Sequence, residues 1–156
     1  DVSKNISSKI IVNKVRILNI YYKKLFKKRP KIAVLGLNPH NAELSKTSEE
    51  IKKIIPAIKK LKNSGSNIKG PFVADTFFMN DYKKFDVVVG MYHDQVLVPF
   101  KTLYKFDAIN ITLGLNYIRV SPDHGTAVKF IGKNKANYNS LLQCIKFIDK
   151  LNWWNM

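Results

Sequence analysis

Three histidines and a few charged side chains hold most of the reactive chemistry in this 156-residue chain. Two of the histidines follow short apolar runs: His40 comes after "IAVLGL" and His93 after "VVVGM". If those runs are strands of an open α/β sheet, both imidazoles lie beyond the carboxyl ends of strands, where such sheets bind ligands. Neutral imidazole is a common ligand for zinc and other divalent ions. Spacing alone also admits two loop histidines that never meet. Asp75, in "GPFVADTFF", reads either as a helix cap or as a carboxylate facing the same cleft as His93. Lys101, Asn110 and Arg119 follow His93 at regular intervals. Lysine and arginine suit an anionic substrate, and arginine in particular suits a carboxylate or phosphate. Lys101 taken alone also reads as a solvated lysine. Arg119 is the one arginine after Arg29 in a chain that otherwise uses lysine, which sets it apart from general surface charge. "DHGTA", Asp123 to Ala127, is a small-residue turn whose backbone amides could cradle part of a nucleotide. There is no G-x-G-x-x-G, no P-loop and no G-x-S-x-G.

The elements that must position these groups alternate between helical and extended patterns. Residues 8–28 place Ile11, Val15, Leu18, Tyr22 and Leu25 at helical spacing, and Pro30 ends that helix. "KIAVLGL" reads as a buried strand closed by the turn signal "NPH". In "KTSEEIKKIIPAIKKLKNSG", Thr47 and Glu50 form a capping-box pattern, Pro56 should kink the helix, and Gly65 should stop it. "IKGPFVADTFF" reads as a strand running into a loop and a short helix, and "FDVVVGM" as a second buried strand. "AINITLGL" and "YIRVS" are two further extended segments, and "SPDHGTA" is a loop. A last amphipathic helix covers "KANYNSLLQCIKFIDKLNWW", with Leu141, Leu142, Ile145 and Ile148 inward and Cys144 in the core. No repeat or linker interrupts the chain, so residues 1–156 read as a single α/β region.

Composition excludes several classes. A hydrophobic content of 46% argues against disorder. No apolar run is long enough to span a membrane. The start has no Met and no signal-like pattern, which points to a piece of something longer. One cysteine rules out an intrachain disulfide and fits a reducing compartment. The net charge of +16 invites a nucleic-acid reading. Only Arg16, Arg29 and Arg119 among the 27 basic residues are arginine, and the lysines are spread along the chain. That distribution is poor for reading phosphates and bases.

Five blocks, "GLNPHNAE", "GPFVADTFF", "MYHDQ", "INITLGLNYIR" and "SPDHGTA", occur in an order and spacing that strongly resemble the 4-hydroxythreonine-4-phosphate dehydrogenases of pyridoxal phosphate biosynthesis. The resemblance implies an isocitrate/isopropylmalate-dehydrogenase-like α/β fold, here the carboxyl-terminal portion of a two-lobed subunit. It implies a cytoplasmic homodimer with the metal site at the subunit interface. Family chains are roughly twice this length. A third metal-binding histidine and a substrate-contacting His-Thr pair lie upstream of the matching region.

Residue by residue, the resemblance makes His40 and His93 metal ligands contributed by different subunits. Lys101, Asn110 and Arg119 contact the phosphorylated substrate. Asp75 lies near the reacting centre, so Asp75 and Lys101 are the candidate catalytic residues. His124, Gly125, Thr126 and Ala127 match the nucleotide-side loop. The implied reaction is oxidation of 4-phosphohydroxy-L-threonine by NAD or NADP with zinc, magnesium or cobalt. The β-keto acid so formed decarboxylates to 3-amino-2-oxopropyl phosphate. Alternatives are a dehydrogenase of threonate or erythronate 4-phosphate, or a basic nucleic-acid-binding domain. With a ligand and half the cleft absent, these 156 residues alone are expected to be inactive. Departures from the family pattern fall at Asn41 and Ala42 after the first histidine, and at Val96, Asn116, Val120 and Lys129.

Overall fold

The computed structural model describes residues 1–153, with side chains described through Leu151. In chain order the elements are α1 (Val2–Asn5), α2 (Ser8–Phe26), β1 (Ile32–Leu35), a π-helical turn Glu50–Ile54 running into α3 (Ile55–Asn63), β2 (Ile68–Phe72), α4 (Ala74–Phe77), β3 (Val87–Val89), α5 (His93–Tyr104), β4 (Ile109–Thr112), β5 (Arg119–Pro122) and α6 (Asn139–Trp153). The chain divides into two compact units, Asp1–Pro99 and the residues from Phe100 onward. No helix among the described residues is long and apolar enough to cross a membrane.

The first unit is built on a parallel sheet of order β2-β1-β3. The central strand β1 is buried on both faces, as parallel strands between covering layers are. Its side chains alternate. Ile32 and Val34 join Ile11, Val12 and Val15 of α2 and Ile54, Ala57, Ile58 and Leu61 around α3. Ala33 and Leu35 join Phe77 on the opposite face. Burying each such Ile, Leu or Val stabilises the fold by about 1.5–3 kcal/mol before entropy is counted. The expected strand "FDVVVGM" is half-buried rather than buried, because β3 is an edge of this sheet.

α2 begins at Ser7, whose hydroxyl accepts the Ile10 N–H at 3.2 Å, and ends at Lys27 in a left-handed conformation. The predicted capping box does not form. Thr47 pairs with the Ser45 hydroxyl, and Ser48 accepts the Ile51 N–H at 3.3 Å instead. Glu50 turns inward and is fully buried. Pro56 cannot donate to the preceding turn, and the chain enters α3 through the π-helical turn just before it. Gly65, at φ +82°, follows the end of α3 as expected.

α5 is a helix that periodicity does not announce. Val96, Leu97, Val98 and Phe100 are nearly contiguous around Pro99, so no amphipathic stripe appears in the sequence. In the second unit β4 and β5 pair antiparallel, and α6 packs on them. The inward face predicted for α6 is wrong: Leu141, Ile145 and Ile148 are exposed, and Leu142 is only partly buried. Ser140, Cys144 and Leu151 form the buried face, because the hydroxyl of Ser140 has buried backbone partners that draw that face inward. The end of the predicted helix at Trp154 lies outside the described residues.

Cys144 is core, as read, and its burial pushes the thiol up from its ordinary range. We predict that Cys144 resists a thiol reagent in the folded chain and reacts fully in denaturant. Rapid labelling under native conditions would place it on the surface.

Candidate active site

The carboxyl ends of the three parallel strands carry the candidate groups in spatial order: Asp75 follows β2, His40 follows β1, and His93 follows β3. The N-cap of α4 is Val73 and Asp75 lies inside the first turn, so Asp75 is not the cap residue. Its Oδ2 lies 3.3 Å from Nδ1 of His40. His93 opens α5, and its Nδ1 lies 2.7 Å from Oδ1 of Asp94. Each imidazole thus has a carboxylate near Nδ1, hydrogen-bonded in His93 and at ion-pair distance in His40. Such a partner favours the proton on Nδ1 and leaves Nε2 as the electron-pair donor, the usual arrangement behind a metal-binding histidine. The donor chemistry therefore fits a divalent ion. Among the described residues, no cluster of three or more His, Cys, Asp or Glu gathers to complete a cage.

The loop that delivers His40 is held by Glu50. Its Oε1 accepts the N–H groups of Leu37 at 2.8 Å and Asn38 at 2.9 Å, and its Oε2 accepts Nδ2 of Asn38 at 3.0 Å. Burial pushes the Glu50 carboxyl up, but the hydrogen bonds from Asn38 and Leu37 outweigh this and hold it below its ordinary range. Beyond the loop, Asn41 donates Nδ2 to the Pro71 carbonyl at 3.1 Å. The departure at Asn41 therefore ties this loop to the end of β2. Residues 41–44 all have φ between 45° and 56°, a left-handed run immediately after His40. A Cβ at Gly36 would lie 1.8 Å from Oδ1 of Asn41, so a larger residue there would displace the Asn41 side chain.

Gln95 answers why an amide follows His93 and Asp94. It is buried, donates Nε2 to the Gly36 carbonyl at 2.6 Å, and accepts the Met91 N–H at 2.7 Å. It locks the turn bearing His93 to the end of the strand bearing His40. Neither Glu50 nor Gln95 stands out as a site residue in the sequence. Glu50 lies in the charged run "KTSEEIKK" and Gln95 directly after His93 and Asp94, so their sequence neighbours do not mark them.

In the second unit, Asn110 pairs with Ser121 and Arg119 with Thr112 across the β4–β5 ribbon. Directly opposed residues share a face, as do residues two apart, so Asn110 and Arg119 are diagonal neighbours on one side. Nη1 of Arg119 donates to the Thr112 hydroxyl at 2.8 Å, which orients the guanidinium. Lys101, on α5, is not a free solvated lysine: Nζ donates to the Asp123 carbonyl at 3.1 Å. His124 Nδ1 lies 2.9 Å from the Gly125 carbonyl, and His124–Ala127 is an exposed loop.

Residues 1–148 match the family described as "Pyridoxal phosphate biosynthetic protein PdxA". A 4-hydroxythreonine-4-phosphate dehydrogenase of Aquifex aeolicus is 44% identical over 152 residues, which are 97% of this chain and 47% of that protein. One from Sulfurihydrogenibium is 46% identical over 148 residues, which are 94% of this chain and 46% of that protein. The crystal structure of the Klebsiella pneumoniae 4-hydroxythreonine-4-phosphate dehydrogenase superposes with a TM-score of 0.79 at 35% identity, covering 93% of this chain and 44% of that one. A terephthalate 1,2-cis-dihydrodiol dehydrogenase from Burkholderia xenovorans, 24% identical with a TM-score of 0.73, shares the fold.

The chain therefore has the isocitrate/isopropylmalate-dehydrogenase-like fold in part. It belongs to the PdxA family of pyridoxal phosphate biosynthetic proteins and spans about half the length of the curated relatives it matches.

Proposed function

We propose that these residues form the carboxyl-terminal part of a metal-dependent NAD(P) dehydrogenase acting on 4-phosphohydroxy-L-threonine in pyridoxal phosphate biosynthesis. The observation that carries the reading is the pair of carboxylate-backed histidines at the ends of adjacent strands in a member of this family. His40 and His93 would hold the ion through Nε2. At any one ion these two histidines would come from different subunits of a homodimer, and a third ligand would come from the part of the relatives' length not matched here. When bound, the ion supplies Lewis-acid polarisation of the substrate hydroxyl, and the nicotinamide accepts the hydride.

The chain's own residues then orient and anchor. Asp75 fixes the His40 ring and stands at the reacting centre. Lys101 and Arg119 hold the anionic ends of the substrate, and Asn110, beside Arg119, supplies an amide on the same face of the ribbon. Holding both ends turns a loose encounter into a defined geometry, where much of the rate advantage of such enzymes arises. His124–Ala127 would take the nucleotide. A cytoplasmic setting follows from the biosynthetic role.

The test is kcat/KM of the complete polypeptide on three substrates. The reading expects 4-phosphohydroxy-L-threonine to be preferred over threonate and erythronate 4-phosphates. Preference for either of the latter would overturn the substrate assignment. A steep loss of duplex DNA affinity with salt, starting from tight binding, would favour the nucleic-acid alternative.

A further inference from the structure

We propose that Asp123 is a positioning residue that sets Lys101 and couples it to the loop His124–Ala127, so that the nucleotide-side loop and the substrate-side lysine are ordered together. This rests on the roles assigned above to Lys101 and to that loop. Residue 123 grips Lys101 twice: its carbonyl accepts from Nζ at 3.1 Å, and its carboxylate Oδ1 lies 3.6 Å from the same nitrogen. The Asp123 side chain is only 14% exposed. Its Oδ2 is buried without a hydrogen-bond partner, an uncommon state for a buried carboxylate oxygen.

Residue 123 is also pinned from behind. Its N–H donates to the Ser140 hydroxyl at 2.8 Å, and that hydroxyl, 1% exposed, donates to the Ala108 carbonyl at the entrance to β4. The chain Ala108–Ser140–Asp123–Lys101 therefore runs from the rigid ribbon to the ammonium. An ammonium has three donors. One is spent on the Asp123 carbonyl, with the carboxylate alongside as counter-charge, which leaves donors for a substrate oxygen. Lysine otherwise carries its charge on a flexible stem, so this grip settles in advance where the donor points.

Asp123 directly precedes His124, so a nucleotide that orders His124–Ala127 also fixes the acceptors of Lys101. Substrate affinity should then rise with cofactor bound, and by linkage cofactor affinity should rise equally with substrate bound.

The test uses Asp123→Asn, Asp123→Glu and Lys101→Met in the complete polypeptide, each checked for an unchanged melting transition. Asp123→Asn should raise the substrate KM about ten-fold while kcat moves much less, and Asp123→Glu should restore part of the loss. Amide hydrogen exchange at residues 124–127 should speed up in both Asp123→Asn and Lys101→Met. A folded Asp123→Asn with the parental KM, or unchanged exchange of the loop in Lys101→Met, would overturn the proposal. If the parent shows no turnover, the functional reading falls, and the exchange result still decides the coupling. Should Asp123→Asn fail to fold, Lys101→Met carries the exchange test alone.

Discussion

Alanine at His93 in the complete polypeptide is expected to abolish stoichiometric divalent metal and to lower kcat/KM by more than any substitution of its carboxylate partner. The arrangement sets the scale. His93 Nδ1 is held by Asp94 at 2.7 Å, so with His93 as the proposed ligand Asp94 would act on the ion only by orienting the ring. Loss of such a partner typically costs about 10–100-fold in metal affinity or activity, so Asp94→Asn should fall in that range and His93→Ala beyond it. Asp75→Asn should act on His40 in the same way, with a further loss in kcat because Asp75 is also assigned to the reacting centre. Metal content by elemental analysis, measured beside kcat/KM, separates these effects. A His93→Ala protein with full metal and full activity would remove that histidine from the site.

Glu50→Ala is expected to destabilise the fold by roughly 2–4 kcal/mol, because it orphans the half-buried N–H groups of Leu37 and Asn38 together. Glu50 is fully buried and bridges the π-helical turn to the loop that carries His40. The same substitution should therefore loosen His40 even in molecules that remain folded. Denaturant melts report the first effect, and metal affinity reports the second. Glu50→Gln, which keeps an acceptor oxygen, should cost less.

The pH dependence has a definite sign. Glu50 is lowered in the folded chain, with hydrogen bonds overcoming its burial. Glu49 is lowered by the Ser3 hydroxyl, and Asp86 by Lys28. A carboxyl whose folded value is depressed contributes stability that is fully present above its unfolded value, near 4 for these groups. That contribution is lost as the pH falls through the folded value. Stability should hold from neutrality down to about pH 5 and decline below about pH 4. The Glu50→Gln variant should show a shallower decline. An identical acid limb in both proteins would show that Glu50 contributes nothing to it.

The sequence made the strand ends legible because β1 and β3 are short apolar runs cut off by polar residues, and the histidines stand at the cuts. The ribbon was legible for the same reason, since β4 and β5 carry β-branched residues around "LGLN". What escaped is instructive. The α6 face was misassigned because its exposed stripe, Leu141, Ile145 and Ile148, is more apolar than its buried one. Ser140 goes inward through its hydrogen bonds to Asp123 and Ala108, which hydrophobic periodicity cannot register. The capping box failed because Glu50 found better donors in a loop thirteen residues earlier in the chain, at Leu37, than at its own helix start. Helix α5 was hidden by Pro99 and by its contiguous apolar run. In each case, tertiary hydrogen bonds or packing overrode a local pattern.

The most direct measurement is NAD(P)+ reduction by the complete polypeptide supplied with 4-phosphohydroxy-L-threonine and a divalent ion, followed at the nicotinamide absorbance. Turnover should disappear on chelation and return when the metal is restored. Absence of reduction by a folded, metal-replete protein, or reduction indifferent to chelation, would contradict it.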